Sequence, residues 1–127
     1  MSTSVASVGD IKAEGFSARM ENRAGAIVVW LEGNADMAVH ERLKGFLDSL
    51  GAAAKAARAR EVVFELQELY FMNSSCLSLV LRFINGVLEL KAAQQYKARF
   101  RSNPNLRWQK KSLAALRTYA EELVIIE

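Results

Sequence analysis

The sequence predicts an α/β fold in which helices pack against a mixed β-sheet. Strand-like and helix-like segments alternate along the chain, and a short turn-forming stretch, Asn22–Gly25, joins the first two strands. A helical pattern then separates each later strand from the next, so the order is β-β-α-β-α-β-α-β. Such alternation favours parallel crossovers, so we expect mostly parallel pairing after an initial antiparallel hairpin.

Five segments have the composition of strands: 16–21, 26–31, 61–66, 96–101 and 123–127. The first and fourth alternate apolar and polar side chains, which is typical of a strand with one face in water. The second and third are mostly apolar, which is typical of a strand buried on both faces. We expect Gly33–Asp36 to end the second strand, with Asp36 as the N-cap of the following helix.

Three segments repeat apolar residues at helical spacing. The first runs from Val39 through Ala54 and continues into the alanine-rich AAAKAARAR, which ends at Arg60 and which we predict to be helical. The second, after Cys76, is apolar over so wide a face that it must be largely buried. The third follows the Ser102–Asn105 turn, with Leu106, Leu113 and Leu116 marking its apolar stripe.

The length and composition indicate one soluble globular domain. A chain of 127 residues buries roughly two-thirds of the surface that its unfolded form exposes. We assign residues 1–15 to an irregular lead-in or edge strand and 16–127 to the domain. The N-terminal residues lack the features of a signal peptide, and the apolar runs are shorter than the ~20 residues that span a bilayer. We therefore expect a cytoplasmic protein with no transmembrane segment.

The stretch LYFMNSSCLSLVL places three consecutive polar residues, Asn73, Ser74 and Ser75, between two apolar runs. They fall near the point where a strand gives way to a helix, although LQELYF intervenes after the strand, and ligands of α/β sheets collect at such junctions. The start of a helix leaves backbone N–H groups unpaired and carries a partial positive charge. Asn and Ser there either cap the helix, which is their commonest use, or form part of a site that accepts a phosphate.

The longer segment EVVFELQELYFMNSSCLSLVL resembles the signature of the STAS domain, the family of anti-sigma factor antagonists and sulphate transporter tails. That signature is an apolar strand, a short connection, an aromatic or apolar pair, and Asp-Ser-Ser-Gly or Asp-Ser-Thr-Gly at the start of an apolar helix. The family's order of strands and helices also agrees with the order predicted above. The resemblance covers roughly residues 16–127, although only the central motif is specific.

The resemblance implies a non-enzymatic protein that binds an anti-sigma factor. In the antagonists, that partner is also a serine kinase that phosphorylates the first Ser of the motif, here Ser74, with Ser75 as the alternative; a phosphatase would reverse the modification. We expect a partner to contact Met72, Asn73, Ser74, Ser75 and Cys76. This chain has Asn73 where the family has Asp, and Cys76 where it has Gly.

These two departures keep an alternative open, a STAS-like adaptor or assembly subunit that is never phosphorylated. A homo-oligomer is also compatible with the sequence. Cys76 is more simply a small buried residue than a nucleophile, because the only histidine, His40, lies on another helix. One Cys and one His cannot form a Cys/His metal site, and no glycine-rich phosphate loop or Gly-x-Ser-x-Gly motif is present. We expect no cofactor, no metal and no catalytic residue.

The last third of the chain also carries a basic-aromatic group of residues. Its cations are interleaved with Tyr96, Phe100 and Trp108, and such a surface can bind anionic lipid, nucleic acid or an acidic protein partner. The simpler interpretation is a solvated charged face beside core aromatics, so we expect no nucleic acid as a partner. The cations are Lys97, Arg99, Arg101, Arg107, Lys110, Lys111 and Arg117.

Overall fold

The computed structural model describes residues 9–127, and all structural statements below concern that part of the chain. It contains seven strands and three α-helices, with single 3-10 turns at Met37–Val39 and Ala92–Gln94. The strands are β1 Ile11–Ala13, β2 Phe16–Arg23, β3 Ala26–Ala35, β4 Glu61–Glu65, β5 Leu69–Met72, β6 Lys97–Arg101 and β7 Val124–Ile126; the helices are α1 His40–Ala57, α2 Ser74–Leu88 and α3 Arg107–Tyr119.

The strands form one mixed sheet in the order β1-β2-β3-β4-β6-β7, and β5 pairs with the end of β3. Pairing is antiparallel between β1, β2 and β3 and parallel from β3 onward. The predicted fold class is therefore confirmed, including the hairpin and the parallel crossovers. Strand β1 falls within the predicted lead-in, residues 1–15, of which residues 1–8 lie outside the described part.

The hairpin between β2 and β3 turns on two residues, Ala24 and Gly25. Their φ angles are 34° and 92°. Positive φ at both central positions is the requirement of the tight turn that matches the right-handed twist of paired strands. The strands therefore extend to Arg23 and Ala26, so the connection has two residues and not the four that the sequence predicted.

The predicted end of the second strand at Gly33–Asp36 is wrong, because β3 continues to Ala35. Gly33 has φ +98°, and a Cβ there would lie 2.1 Å from the carbonyl oxygen of Gly15. The pairing register with β5 shifts between Gly33 and Asn34, so the glycine marks a bulge within the strand and not its end. The strand β5, which pairs with this extension, was not predicted.

The core lies between one face of the sheet and the helices, and it confirms the predicted helical faces. Phe64 of β4 stacks on Phe100 of β6, with ring centroids 4.7 Å apart, and Phe83 of α2 meets Phe64 edge-on at 5.8 Å. One predicted boundary is wrong: α1 ends at Ala57, because Arg58 adopts a left-handed conformation (φ 51°) and its N–H caps the last turn.

Candidate functional site

The 73–75 segment lies at the start of α2, where β5 ends. Asn73 is in an extended conformation, and its Oδ1 accepts a hydrogen bond of 2.8 Å from the backbone N–H of Cys76. The backbone N–H of Asn73 donates to the carbonyl oxygen of Ala35 at 2.9 Å. Asn73 is thus the N-cap of α2, and the same residue ties the helix start to the end of β3.

Ser74 and Ser75 are the first two residues of α2, and both are exposed. Within residues 9–127, neither backbone N–H has a hydrogen-bond acceptor in the protein. The hydroxyl of Ser78 donates to the carbonyl oxygen of Ser74 at 3.0 Å, so it stands one turn along the same side of the helix. Two free N–H groups and the positive end of the helix dipole would stabilise an anion attached to Ser74.

Cys76, the next residue, is completely buried, so its side chain is not part of a surface that a partner can contact. The prediction that placed it there is corrected on this ground. Its Sγ lies 3.5 Å from the carbonyl oxygen of Asp36. Burial, and to a smaller extent the charge of Asp36, raises the pKa of the Cys76 thiol. A buried thiol with a raised pKa is a poor nucleophile, in agreement with the interpretation of Cys76 as a packing residue.

Three exposed apolar side chains beside the segment were missed by the sequence interpretation. Met37, Tyr70 and Phe71 are 62%, 52% and 47% exposed, although most large apolar residues of the chain are buried. Phe71 pairs with Asn34, and Met37 follows the end of β3 to which Asn73 is tied. The run LYFM was the only signal in the sequence for Tyr70 and Phe71, and nothing in the local pattern marked Met37.

Gln109 is a second residue that the sequence interpretation missed. It is 0% exposed, on the buried face of α3. Its Nε2 donates to the carbonyl oxygens of Leu66 at 2.8 Å and Leu69 at 3.0 Å, and its Oε1 accepts from the backbone N–H of Asn103 at 2.7 Å. The amide therefore fixes α3 against the β4–β5 connection that leads into the 73–75 segment.

The predicted basic-aromatic group is divided between two surfaces. Tyr96 and Phe100 are buried in the core. Arg99 and Arg101 lie on the uncovered face of the sheet, in ion pairs with carboxylates of neighbouring strands. Lys97 lies at the start of β6, and the other four cations lie on α3, apart from this face. Among the described residues, the predicted group therefore does not form one patch.

His40 does not contribute to the 73–75 segment. Its Nδ1 lies 3.3 Å from a carboxylate oxygen of the adjacent Glu41, at the start of α1. Within residues 9–127, no three His, Cys, Asp or Glu side chains are grouped closely enough to bind a metal ion. In the same range, every helix is too short or too polar to cross a membrane.

Comparison with known proteins places the fold among anti-sigma factor antagonists. An anti-sigma factor antagonist from Mycobacterium paratuberculosis has a similar structure, with a TM-score of 0.60 and 17% identity, over 90% of this chain and 88% of that chain. The anti-sigma factor antagonist SpoIIAA in its unphosphorylated form matches with a TM-score of 0.52 and 16% identity, over 87% of this chain and 86% of that chain. The Bacillus cell fate determinant SpoIIAA in the phosphorylated form matches with a TM-score of 0.55 and 17% identity, over 87% of this chain and 90% of that chain.

At these identities the comparison shows the fold alone. No family model and no curated protein sequence gives a significant match to the chain. The chain thus has the STAS-like fold of these antagonists, as the sequence predicted.

Proposed function

We propose that this chain is a cytoplasmic STAS-type signalling protein that binds an anti-sigma factor and thereby releases a sigma factor. The anti-sigma factor is also the serine kinase that phosphorylates Ser74, and a phosphatase reverses the modification. The observation that supports this most directly is the exposed hydroxyl of Ser74 at the start of α2. One solved protein of the same fold is in a phosphorylated form. The chain acts by binding and not by catalysis.

The proposed docking surface combines the 73–75 segment, the half-buried Met72 and the exposed side chains of Met37 and Phe71. Apolar side chains exposed beside a small polar segment provide area that a partner can bury. The neutral hydroxyl of Ser74 would lie within the contact. In this proposal, the modified residue therefore lies within the contact surface.

Phosphorylation would act as a charge switch at this surface. A phosphate adds about −1.5 to −2 charges and three acceptor oxygens. The two free N–H groups at the start of α2 stabilise it within the domain, so the fold survives. A partner that packs against the hydroxyl must instead desolvate an anion. A difference of about 1.4 kcal/mol already weakens binding tenfold.

The modification is tested by incubating the protein with ATP and the candidate anti-sigma kinases of the same organism, followed by intact-mass analysis. We expect one added phosphate on the unmodified chain and on Ser75→Ala, and none on Ser74→Ala. Phosphate on Ser74→Ala but not on Ser75→Ala would move the site to Ser75. Circular dichroism of both variants checks that each remains folded.

The binding part of the proposal is tested separately with Ser74→Glu. We expect this variant to bind the anti-sigma factor at least about tenfold more weakly than the unmodified chain in titration calorimetry. Lys44→Glu provides the matched control, because it also adds negative charge at an exposed helical position but lies on α1. Equal affinities for all three proteins would contradict the switch.

A second candidate function, an adaptor that is never phosphorylated, is favoured by one observation. The Oδ1 of Asn73 caps α2, and this amide stands where the family has the carboxylate of Asp. If a kinase needs that carboxylate to position the hydroxyl, then Asn73→Asp should accept phosphate faster than the unmodified chain. Absence of phosphate on both proteins, together with retained binding to the anti-sigma factor, would leave the adaptor function.

A further inference from the structure

An apolar groove runs between α2 and α3, directly beyond the 73–75 segment. It encloses about 230 Å³. The floor is formed by leucines of both helices, and the hydroxyl of Tyr119 donates to Asn85 Oδ1 at 2.7 Å across one end. Within residues 9–127, no charged side chain lines it. The lining residues are Leu77, Ser78, Leu81, Ser112, Ala115, Leu116 and Tyr119.

The two helices that form this α2–α3 groove carry only positive charge. Together they contain five Arg or Lys residues and no Asp or Glu. Arg82 of α2 is 3.1 Å from Asp48 of α1 and is therefore directed away from the groove. The other four lie on α3, and within residues 9–127 none of them forms an ion pair; they are Arg107, Lys110, Lys111 and Arg117.

The helical repeat decides which of these cations borders the groove. Lys111 lies four residues before Ala115 and eight before Tyr119, both of which line the groove, so the three form one stripe. Lys110 is one position earlier and is therefore rotated by about 100° around the helix. Its neighbour one turn later is Ala114, which does not line the groove. Lys111 is thus the cation at the rim.

We propose that the α2–α3 groove binds an acidic amphipathic helix of the partner protein. The inference rests on the proposed function in one respect, because the helix belongs to the protein that docks at the 73–75 segment. Apolar side chains at helical spacing would fill the groove between the leucines, as in other helix-in-groove complexes. Carboxylates on the flank of that helix would meet Lys111 and the unpaired charges of α3.

The groove also gives the phosphate a second effect. Ser78 lines the groove, and Ser74 lies one turn before it on the same side of α2. A phosphate on Ser74 would therefore stand at the end of the groove, where it repels the carboxylates of the bound helix. The groove supplies affinity for the acidic helix, and phosphorylation in the 73–75 segment lowers that affinity.

The probe for this proposal is a fluorescein-labelled synthetic helix of about 18 residues, long enough to be helical. It carries Leu at positions i, i+4, i+7 and i+11 and mostly Glu and Ala elsewhere; the comparison peptide has Lys in place of every Glu. Anisotropy titrations at low and physiological salt measure both against the intact chain. We expect only the acidic peptide to bind, and more weakly at high salt.

Two pairs of neighbouring variants locate the binding. Lys111→Glu should weaken binding of the acidic peptide about fivefold at low salt, whereas Lys110→Glu, with the same change of charge, should weaken it less than twofold. Ala115→Trp fills the groove and should abolish binding, whereas Ala114→Trp should leave it unchanged. Circular dichroism of all four variants excludes unfolding as the cause.

Three results would overturn the proposal. The first is equal binding of the two peptides, and the second is an equal effect within either pair of variants. The third is a concentration-dependent dimer in analytical ultracentrifugation that Ala115→Trp disrupts and Ala114→Trp does not, because a second copy would then occupy the groove. None of these measurements depends on the modification of Ser74, so failure here leaves the proposed function standing.

Discussion

Strand β6 and helix α3 follow each other in the chain and are both rich in Arg and Lys, but the fold uses their charges in opposite ways. On β6, Arg99 contacts Glu61 at 3.0 Å and Glu127 at 2.7 Å, and Arg101 contacts Glu65 at 2.9 Å and Glu127 at 3.3 Å. On α3, none of the four cations forms an ion pair within the described residues. The charges of Arg99 and Arg101 are neutralised on the strand, whereas those of α3 are left available.

The difference follows from what lies beside each element. Strand β4 pairs in parallel with β6 and places Glu65 directly beside Arg101, while Glu61 and Glu127 lie within reach of Arg99. On the exposed side of α3, the nearest potential partners of a cation are the residues four positions on. Those of Arg107, Lys110 and Lys111 are Lys111, Ala114 and Ala115. Identical residue types therefore carry no fixed functional meaning until their neighbours are known.

The largest expected effect tests how α3 is held in place. Gln109→Leu removes the buried amide and its hydrogen bonds with the carbonyl oxygens of Leu66 and Leu69 and with the backbone N–H of Asn103. The oxygen of Leu66 keeps only the bond from the N–H of Leu69. We expect the free energy of unfolding to fall by about 3 kcal/mol in urea denaturation. Lys110→Leu, on the exposed side of the same helix, is the control and should change it by less than about 0.5 kcal/mol. Similar losses for both variants would show that the amide does not anchor α3.

The buried Tyr96, which directly precedes β6, provides a test by pH. Burial raises the pKa of Tyr96 to about 12. Because the folded-state pKa lies above the unfolded value, its contribution to stability is complete below about pH 10 and is lost as the pH rises through about 12. Stability should therefore fall over this range in the unmodified chain and fall less in Tyr96→Phe. Identical pH dependence would contradict the burial of Tyr96.

Charge reversal on the two elements tests the comparison directly. Arg99→Glu places a third carboxylate beside Glu61 and Glu127, so it should destabilise the protein, and salt should reduce that loss. Lys111→Glu disturbs no ion pair and relieves the repulsion from Arg107 one turn earlier, so it should leave stability unchanged or slightly higher. Thermal unfolding at low and high salt measures both. A greater loss of stability for Lys111→Glu than for Arg99→Glu would contradict the assignment of Arg99 as paired and Lys111 as free.

The smallest expected effect concerns the uncovered face of the sheet. The guanidinium of Arg19 lies over Trp30, with Cζ 3.8 Å from the ring centroid. Arg19→Ala should cost about 0.5 kcal/mol and increase the quenching of tryptophan fluorescence by acrylamide. Lys110→Ala, on α3, should not change that quenching. Unchanged quenching in Arg19→Ala would mean that Trp30 is shielded by other residues.

The sequence by itself determined the types and order of the main elements, the buried faces of the three helices and the position of Ser74 at the start of α2. These features depend on periodicity and capping, which are properties of neighbouring residues. It predicted Asp36 as an N-cap, and the Asp36 carboxylate does accept from the backbone N–H of Ala38 at 3.0 Å, but it caps the 3-10 turn Met37–Val39 and not α1. It also predicted that Tyr96 and Phe100 turn away from the charges of their strand.

Only the tertiary structure decided where β3 ends, that β5 exists and which charges are neutralised. Strand β5 has four residues and is defined by its partner beyond the bulge at Gly33, so no local pattern marks it. The burial of Gln109 and the exposure of Phe71 likewise depend on elements distant in the chain. A local pattern tells which side of an element is apolar, but the groups that face each side are set by long-range pairing.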